Sequence, residues 1–172
     1  MAWHVDPSHS YVEFAVRHLG IATVRGYFNE VGGSLEWADG VPAEIEARIA
    51  TASLEVRNAQ RNEHMRGADF FDVERFPEIT YRSRSTEPLG PGRCRLSGDL
   101  TMMGKTAPVT LECEVSAVID DPWGNRRVGF AATGFLDRRD FGITWGADGH
   151  PAAGVVDTRV RITIDAEATE DK

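Results

Sequence analysis

The sequence predicts an all-β fold: an eight-stranded antiparallel barrel, interrupted once by a short helical excursion in mid-chain. Three observations carry that expectation. Apolar and polar residues alternate with a period of two through about eight stretches, the signature of strands with one face on a core. Turn residues separate the stretches at short intervals, as in Asp39-Gly40, Pro88-Leu89-Gly90-Pro91-Gly92 and Asp120-Asp121-Pro122-Trp123-Gly124-Asn125, so successive strands pair as hairpins. Only the run from Arg61 to Pro77 departs from the pattern, mixing three Phe and a Met with charged side chains. A sandwich would also satisfy the alternation; the barrel is preferred because closure removes sheet edges and eight strands leave an interior able to hold one ligand.

Val12, Phe14, Val16 and His18 share one face of a first strand, about 10–18, with Tyr11, Glu13, Ala15 and Arg17 on the other. Val24, Gly26 and Phe28 form the inward set of the next. Gly32-Gly33 turns or bulges the chain into Leu35-Glu36-Trp37, and Asp39-Gly40 closes that hairpin. Residues 44–49 are apolar at odd positions and charged at even ones, and Leu54 and Val56 are expected to continue that strand. Ile79, Tyr81 and Ser83 mark the strand after the helical run.

Cys94, Leu96, Gly98, Leu100 and Met102 then share one face. Beyond the turn at Gly104-Lys105, so do Val109, Leu111, Cys113 and Val115. Val128, Phe130 and Ala132 lead to a bend at Gly134; Thr158, Val160, Ile162 and Ile164 form a last strand ending near Ala166.

The helix is expected at roughly 58–66, with Asn58 as N-cap and Gly67 as its stop. Asp69 offers a second cap for a turn through Phe70 to Glu74, and Pro77 drives Phe76 toward an extended conformation. Two helical turns are unstable alone. Met65, Phe70, Phe71 and Phe76 therefore have to be buried against something larger, for which the open end of the β-structure is the natural place.

At 172 residues the chain is read as one domain, 1–172. Its formal charge of −8 argues against nucleic acid or an anionic membrane as main partner, and neither Arg126-Arg127 nor Arg138-Arg139 reverses that. The first residues show no basic, apolar leader and no later stretch approaches the ~18 apolar residues of a membrane span, so a cytoplasmic protein without stable membrane insertion is expected. Cys94 and Cys113 make neither a disulfide framework nor a metal pattern. Free, buried thiols are expected, although the hairpin sets them opposite each other and would permit a bridge.

The five histidines, His4, His9, His18, His64 and His150, show no metal-binding spacing, so no metal and no cofactor is expected. His9 is read as hydrogen-bonding backbone in a turn, and His18 as a core residue. Gly98 to Thr106 ends like a phosphate-binding loop, but its first glycine is one residue early and the loop joins strands. Asp140-Phe141-Gly142 lacks the other kinase elements and is a turn. No activated nucleophile is evident, so catalysis is not expected. Phe14, Phe28, Phe70, Phe71, Tyr81, Phe130, Phe141, Trp145, Met65 and Met102 supply more bulk than a short-strand sandwich needs. They describe either a packed core or a lined cavity.

Ordered motifs along nearly the whole chain resemble the YceI-like family, the polyisoprenoid-binding, lipocalin-like barrels. They are Trp3 to Ser10, Phe14 to Leu19, Val24 to Phe28, Ala52-Ser53-Leu54, Arg61 to Pro77 with Asp69-Phe70-Phe71-Asp72-Val73 at its centre, Gly98 to Gly104, and Arg139 to Ile143. Asn62 stands where the family usually has Asp, and Met103 where a basic or small residue is commoner. The resemblance implies a barrel whose lumen holds a long isoprenoid or similar amphiphile, with the helical segment near one mouth. It also implies a homodimer; many relatives are exported.

On that reading Phe14, Val16, Phe28, Ile49, Phe70, Phe71, Tyr81, Leu100, Met102, Phe141 and Trp145 line the lumen, and His18, Arg61 and His64 meet a polar head at the mouth. The function expected is non-catalytic carriage or sequestration of a lipophilic chain. Two alternatives stand beside it: an enzyme using His18 or His64 with a carboxylate, and a dimeric interaction module with a filled core.

Overall fold

A computed structural model describes residues 2–147 and 149–172. Among them, eight strand paths run alternately up and down. β1 is made of Ala2–Val5 and Tyr11–His18, joined by the 3-10 turn Pro7–His9; β2 of Ala22–Phe28 and Val31–Ala38; β3 of Val41–Ala50 and Leu54–Glu55. β4 (Glu78–Gly90), β5 (Arg93–Met102), β6 (Lys105–Val115), β7 (Arg126–Asp137) and β8 (Arg159–Glu170) follow. Each pairs antiparallel with its successor. β8 pairs with both segments of β1, Ile162 opposite Phe14 and Thr169 opposite His4, which closes the barrel.

The predicted alternation holds best in β5 and β6, where Cys94, Leu96, Leu100, Met102, Val109, Leu111, Cys113 and Val115 are all buried. Cys94 and Cys113 are register partners and both are free thiols, each with its pKa raised by burial. Inward glycines make room for rings. A Cβ on Gly26 would overlap the Phe14 ring, and one on Gly98 would lie 2.6 Å from the Tyr81 hydroxyl.

Several elements differ from the sequence reading. β3 does not run on through Leu54 and Val56: it breaks in the 3-10 turn Thr51–Ser53, then Leu54–Glu55 pairs with the first half of β2. Val56 donates its N–H to Asn62 Oδ1 at 2.7 Å, while Asn62 Nδ2 donates to Glu55 Oε1 at 3.0 Å, so a buried amide ties helix to strand. β4 continues to Gly90 rather than turning at Pro88, with a bulge between Ser83 and Ser85. Ser83 Oγ accepts the Ile45 N–H at 2.8 Å beside that bulge. β8 ends at Glu170, not near Ala166, because its last residues pair with Ala2–Val5, a strand the alternation did not reveal.

The helix α1 (Ala59–Arg66) is capped as expected, Asn58 Oδ1 accepting the Arg61 N–H at 2.9 Å. Gly67 ends it in extended backbone, with φ −80 and ψ −178, so no left-handed residue is needed there. Asp69 accepts no capping N–H among the described residues; its carboxylate pairs with His64 Nε2 at 2.9 Å. Backbone bonds from Phe71 to Met65 O (3.0 Å) and from Val73 to Arg66 O (3.0 Å) fold the 67–76 segment back and bury Phe70 and Phe71. Phe76 is only half-buried, under the Arg75 guanidinium. No helix of the described residues is long and apolar enough to cross a membrane.

The two ends of the barrel differ. At one, the turns at Asp39-Gly40, Pro91-Gly92 and 116–125 are compact, and Trp3, 1% exposed, lies 5.9 Å from Trp37 with the rings tilted by 42°, and Trp37 in turn lies 6.1 Å from Phe130. This end is plugged. Both long connections, 56–77 and 138–158, emerge at the other end, the mouth.

Beside the plug, Arg127 is held by Asp6 (2.6 Å), Glu167 (2.8 Å) and Asp121 (3.2 Å). His9 Nδ1 meets the Asp6 carboxylate at 3.0 Å rather than backbone, so its expected turn role is filled by a side-chain partner.

Candidate functional site

The barrel is hollow. A cavity of about 360 Å³ is walled by residues from all eight strands. Its mid-section explains the hollow. Val16, Ile45, Ile49, Val160, Ile162 and Ile164 point inward yet remain half-buried, because these aliphatic side chains do not reach across to one another. The larger rings pack on one another, in the Trp3–Trp37–Phe130 plug and in a Phe14–Phe28–Phe71 group on one side of the wall with centroids 5.1–5.9 Å apart.

The predicted residues divide by position. Phe14, Val16, Phe28, Ile49, Phe71, Tyr81, Leu100 and Met102 stand in the wall, while His18, Arg61, His64, Phe70 and Trp145 stand at the mouth. Phe141 does not line the cavity. It is wholly buried at the end of the 3-10 turn Arg138–Phe141, beside β6, where the β7–β8 connection needs its own small core. Tyr81 is in the wall but is not a free polar group: its hydroxyl donates to Val109 O at 3.3 Å, and burial pushes its pKa up to about 12.

An aromatic lid spans the mouth. His64 lies edge-on to Phe70 (5.1 Å) and to Trp145 (5.2 Å), and Trp145 also contacts Phe70 (5.5 Å) and His150 (5.4 Å). α1 and the 67–76 segment supply one half of this lid, and the β7–β8 connection the other. That is why both excursions sit at one end.

Sequence reasoning missed Arg138. It is 4% exposed and lines the cavity at the mouth, donating to Asp157 O (2.9 Å), Ile143 O (2.8 Å) and Val156 O (3.1 Å). No carboxylate of the described residues forms an ion pair with it, and burial lowers its pKa against the opposing pull of Asp137 and Asp157. It staples the β7–β8 connection into the lid. Nothing periodic marks such a residue, since its partners are carbonyls of a loop. Ile143, Val155 and Val156 reach the cavity from the same connection and were equally invisible.

Chemically, the site offers an apolar volume with a polar rim. Arg61 is exposed and makes no ion pair among the described residues, and the His18 ring has no hydrogen-bond partner among them. Both are available to a ligand's polar end. The His64–Asp69 pair is the one imidazole at the cavity within hydrogen-bond distance of a carboxylate among the described residues. Elsewhere, Asp6, His9 and Glu167 converge in a way that suits a cation, but the Arg127 guanidinium already fills that role. The hydrogen bond from Ser8 and the one from Arg127 hold the Asp6 carboxyl well below the usual carboxylate range.

Comparison with known proteins places this geometry. A family model described as a YceI-like domain matches residues 3–168. A UPF0312 protein of Yersinia pestis (strain Pestoides F) is 38% identical over 141 residues, spanning 81% of this chain and 73% of the relative. The crystal structure of Burkholderia cenocepacia BcnA is similar with a TM-score of 0.82 at 22% identity, over 96% of this chain and 99% of that one. A polyisoprenoid binding domain from Saccharophagus degradans, implicated in plant cell wall breakdown, gives a TM-score of 0.75 at 15% identity, over 98% of each chain. At such identities the two structures establish the shared fold.

Proposed function

The chain belongs to the YceI-like domain family, and from that premise we propose that it binds a long-chain lipophilic ligand, a polyisoprenoid or similar amphiphile, in the barrel lumen, as a carrier or store and without chemistry. The cavity carries this reading: about 360 Å³ of apolar space, within the range of about 300–1,000 Å³ usual for ligand pockets. The polyisoprenoid binding of the Saccharophagus degradans domain supports it by analogy of fold. Burying each CH₂ is worth about 0.8 kcal/mol before the entropic cost of association, so affinity needs few polar contacts. Arg61 and His18 suit the polar end.

The test is direct. A dansyl-labelled geranylgeranyl amphiphile should give a saturable fluorescence rise with one site per chain, and solvent extraction of the purified protein should release a co-purified lipid detectable by mass spectrometry. A protein that is empty and does not bind the probe overturns the proposal.

The His64–Asp69 pair favours a second reading, acid–base catalysis on a hydrophobic substrate at the mouth. Both groups face solvent, and the ring is held as part of the aromatic lid, which serves closure equally well. Chromatography of the probe after long incubation separates the readings. Unaltered probe supports carriage; conversion that is lost in His64→Gln establishes catalysis.

A further inference from the structure

One sector of the mouth differs in kind from the rest. In a chain with 27% charged residues, 19–24 and 149–156 contain no Asp, Glu, Lys or Arg. The fold brings these two runs together: Leu19 N–H donates to Val155 O at 2.8 Å, and His18 pairs with Val156. Across the mouth, α1 and the segment after it carry Arg61, Glu63, Asp69, Asp72, Glu74 and Arg75.

The tip of this sector is the β1–β2 turn. Leu19 is 54% exposed and Ile21 79% exposed. Leu19 and Gly20 both have positive φ, 53 and 68, a conformation in which Asn or Gly is preferred at the first position. A leucine there is strained and wet, and folding gives no reason for it. Behind the tip, Val24, Val155 and Val156 line the cavity. Apolar side chains therefore extend from the lumen, over the rim, to the two projecting residues, with the Arg17 guanidinium beside the turn, donating to Gly20 O at 3.0 Å and Thr23 Oγ1 at 3.3 Å, placed to meet a lipid phosphate.

We propose that this sector docks shallowly and reversibly onto a zwitterionic phospholipid bilayer, so that a lipophilic ligand passes between bilayer and lumen without entering water. The inference rests on the lumen-binding reading and adds where the ligand comes from. A convex turn presenting two aliphatic side chains cannot supply the roughly 800 Å² per partner of a stable protein interface. Shallow insertion at the acyl boundary asks only for projecting apolar groups. The net charge of −8 selects a neutral bilayer surface over an anionic one.

The experiment loads the dansyl-geranylgeranyl probe into phosphatidylcholine vesicles and follows its uptake by the protein. The variant combines Leu19→Asn, which suits the left-handed turn, with Ile21→Asp; neither residue lines the cavity. Uptake from vesicles should fall about tenfold, as expected from moving one isoleucine side chain out of hydrocarbon. Binding of vesicle-free probe should be unchanged. Trp123→Asp, 75% exposed at the opposite end, should behave as wild type.

Unchanged uptake in the double variant overturns the proposal. So does an equal loss in Trp123→Asp, or a wild-type dimer that the double variant splits. If wild-type protein fails to bind even vesicle-free probe, it is the lumen reading that fails. Co-flotation of protein with vesicles, wild type against variant, then still decides the docking on its own.

Discussion

The plugged end and the mouth are built from the same eight strands and use them in opposite ways. At the plug, connections are compact and inward positions carry indoles and a phenyl that meet across the axis. Toward the mouth, half-buried Val16, Ile49, Val160 and Ile162 leave space between the ringed parts of the wall, and two long connections arch over that space. The difference teaches that strand count alone does not make a barrel hollow. What decides it is where the bulky side chains fall along each strand, and whether a lid is paid for by a core of its own, as Phe70, Phe71 and Phe141 provide.

The sharpest contrast is between tryptophans. Trp3→Ala removes a fully buried ring from the plug and should lower unfolding free energy by about 3–5 kcal/mol, read from urea denaturation. Trp145→Ala at the half-buried lid should cost clearly less stability while weakening probe binding. Equal destabilisation by both would erase the distinction between the ends.

Making the mouth half resemble the plug is the second test. Ile162→Trp adds a ring to the mid-section of the lumen; binding of the dansyl probe should fall by tenfold or more, with melting temperature unchanged or raised, since about 1.4 kcal/mol corresponds to each tenfold. Retained affinity would mean that the ligand sits elsewhere.

The third addresses the plug's electrostatics. The Asp6 and Asp121 carboxyls are held below their ordinary range, first by Ser8 and by the Asn125 N–H respectively, with Arg127 contributing to both. A depressed carboxylate pKa gives stability that is present above the unfolded value near pH 4 and is lost as pH falls below it. Arg127→Met should thus lower the melting temperature at neutral pH and flatten its fall between about pH 4 and 2. An unaltered acid limb would show that Arg127 does not organise the cluster.

The smallest effect belongs to the lid's attachment. Asn62→Asp keeps the acceptor for Val56 N–H but sets a carboxylate against Glu55, so the melting temperature should drop modestly at neutral pH and recover on mild acidification as the pair shares a proton. No recovery at low pH would point to a different cause.

The plug and the mouth were also unequally legible in the sequence. β5 and β6 could be read residue by residue because their alternation is unbroken from Cys94 to Val115 apart from one turn. β1 and β3 could not, because the turns Pro7–His9 and Thr51–Ser53 split them, and pairing with distant β8 and β2 is what defines the separated pieces. Among site residues, those on strands were found by period, Phe70 and Phe71 after α1 by their apolar content in a charged run, and Arg61 and His64 on α1 as polar groups suited to a head at the mouth. Phe141 was misplaced because bulk alone does not tell a ring that faces a void from one packed in a loop core. Arg138 escaped because its role rests on three carbonyls brought near only by the fold.

The central claim is that the barrel encloses vacant apolar space, and a crystal under xenon pressure tests it without any assumption about the ligand. Apolar cavities of this kind take up xenon. The account predicts xenon density inside the barrel between Val16, Ile45 and Ile162. A lumen free of xenon, closed by its own side chains, would contradict it.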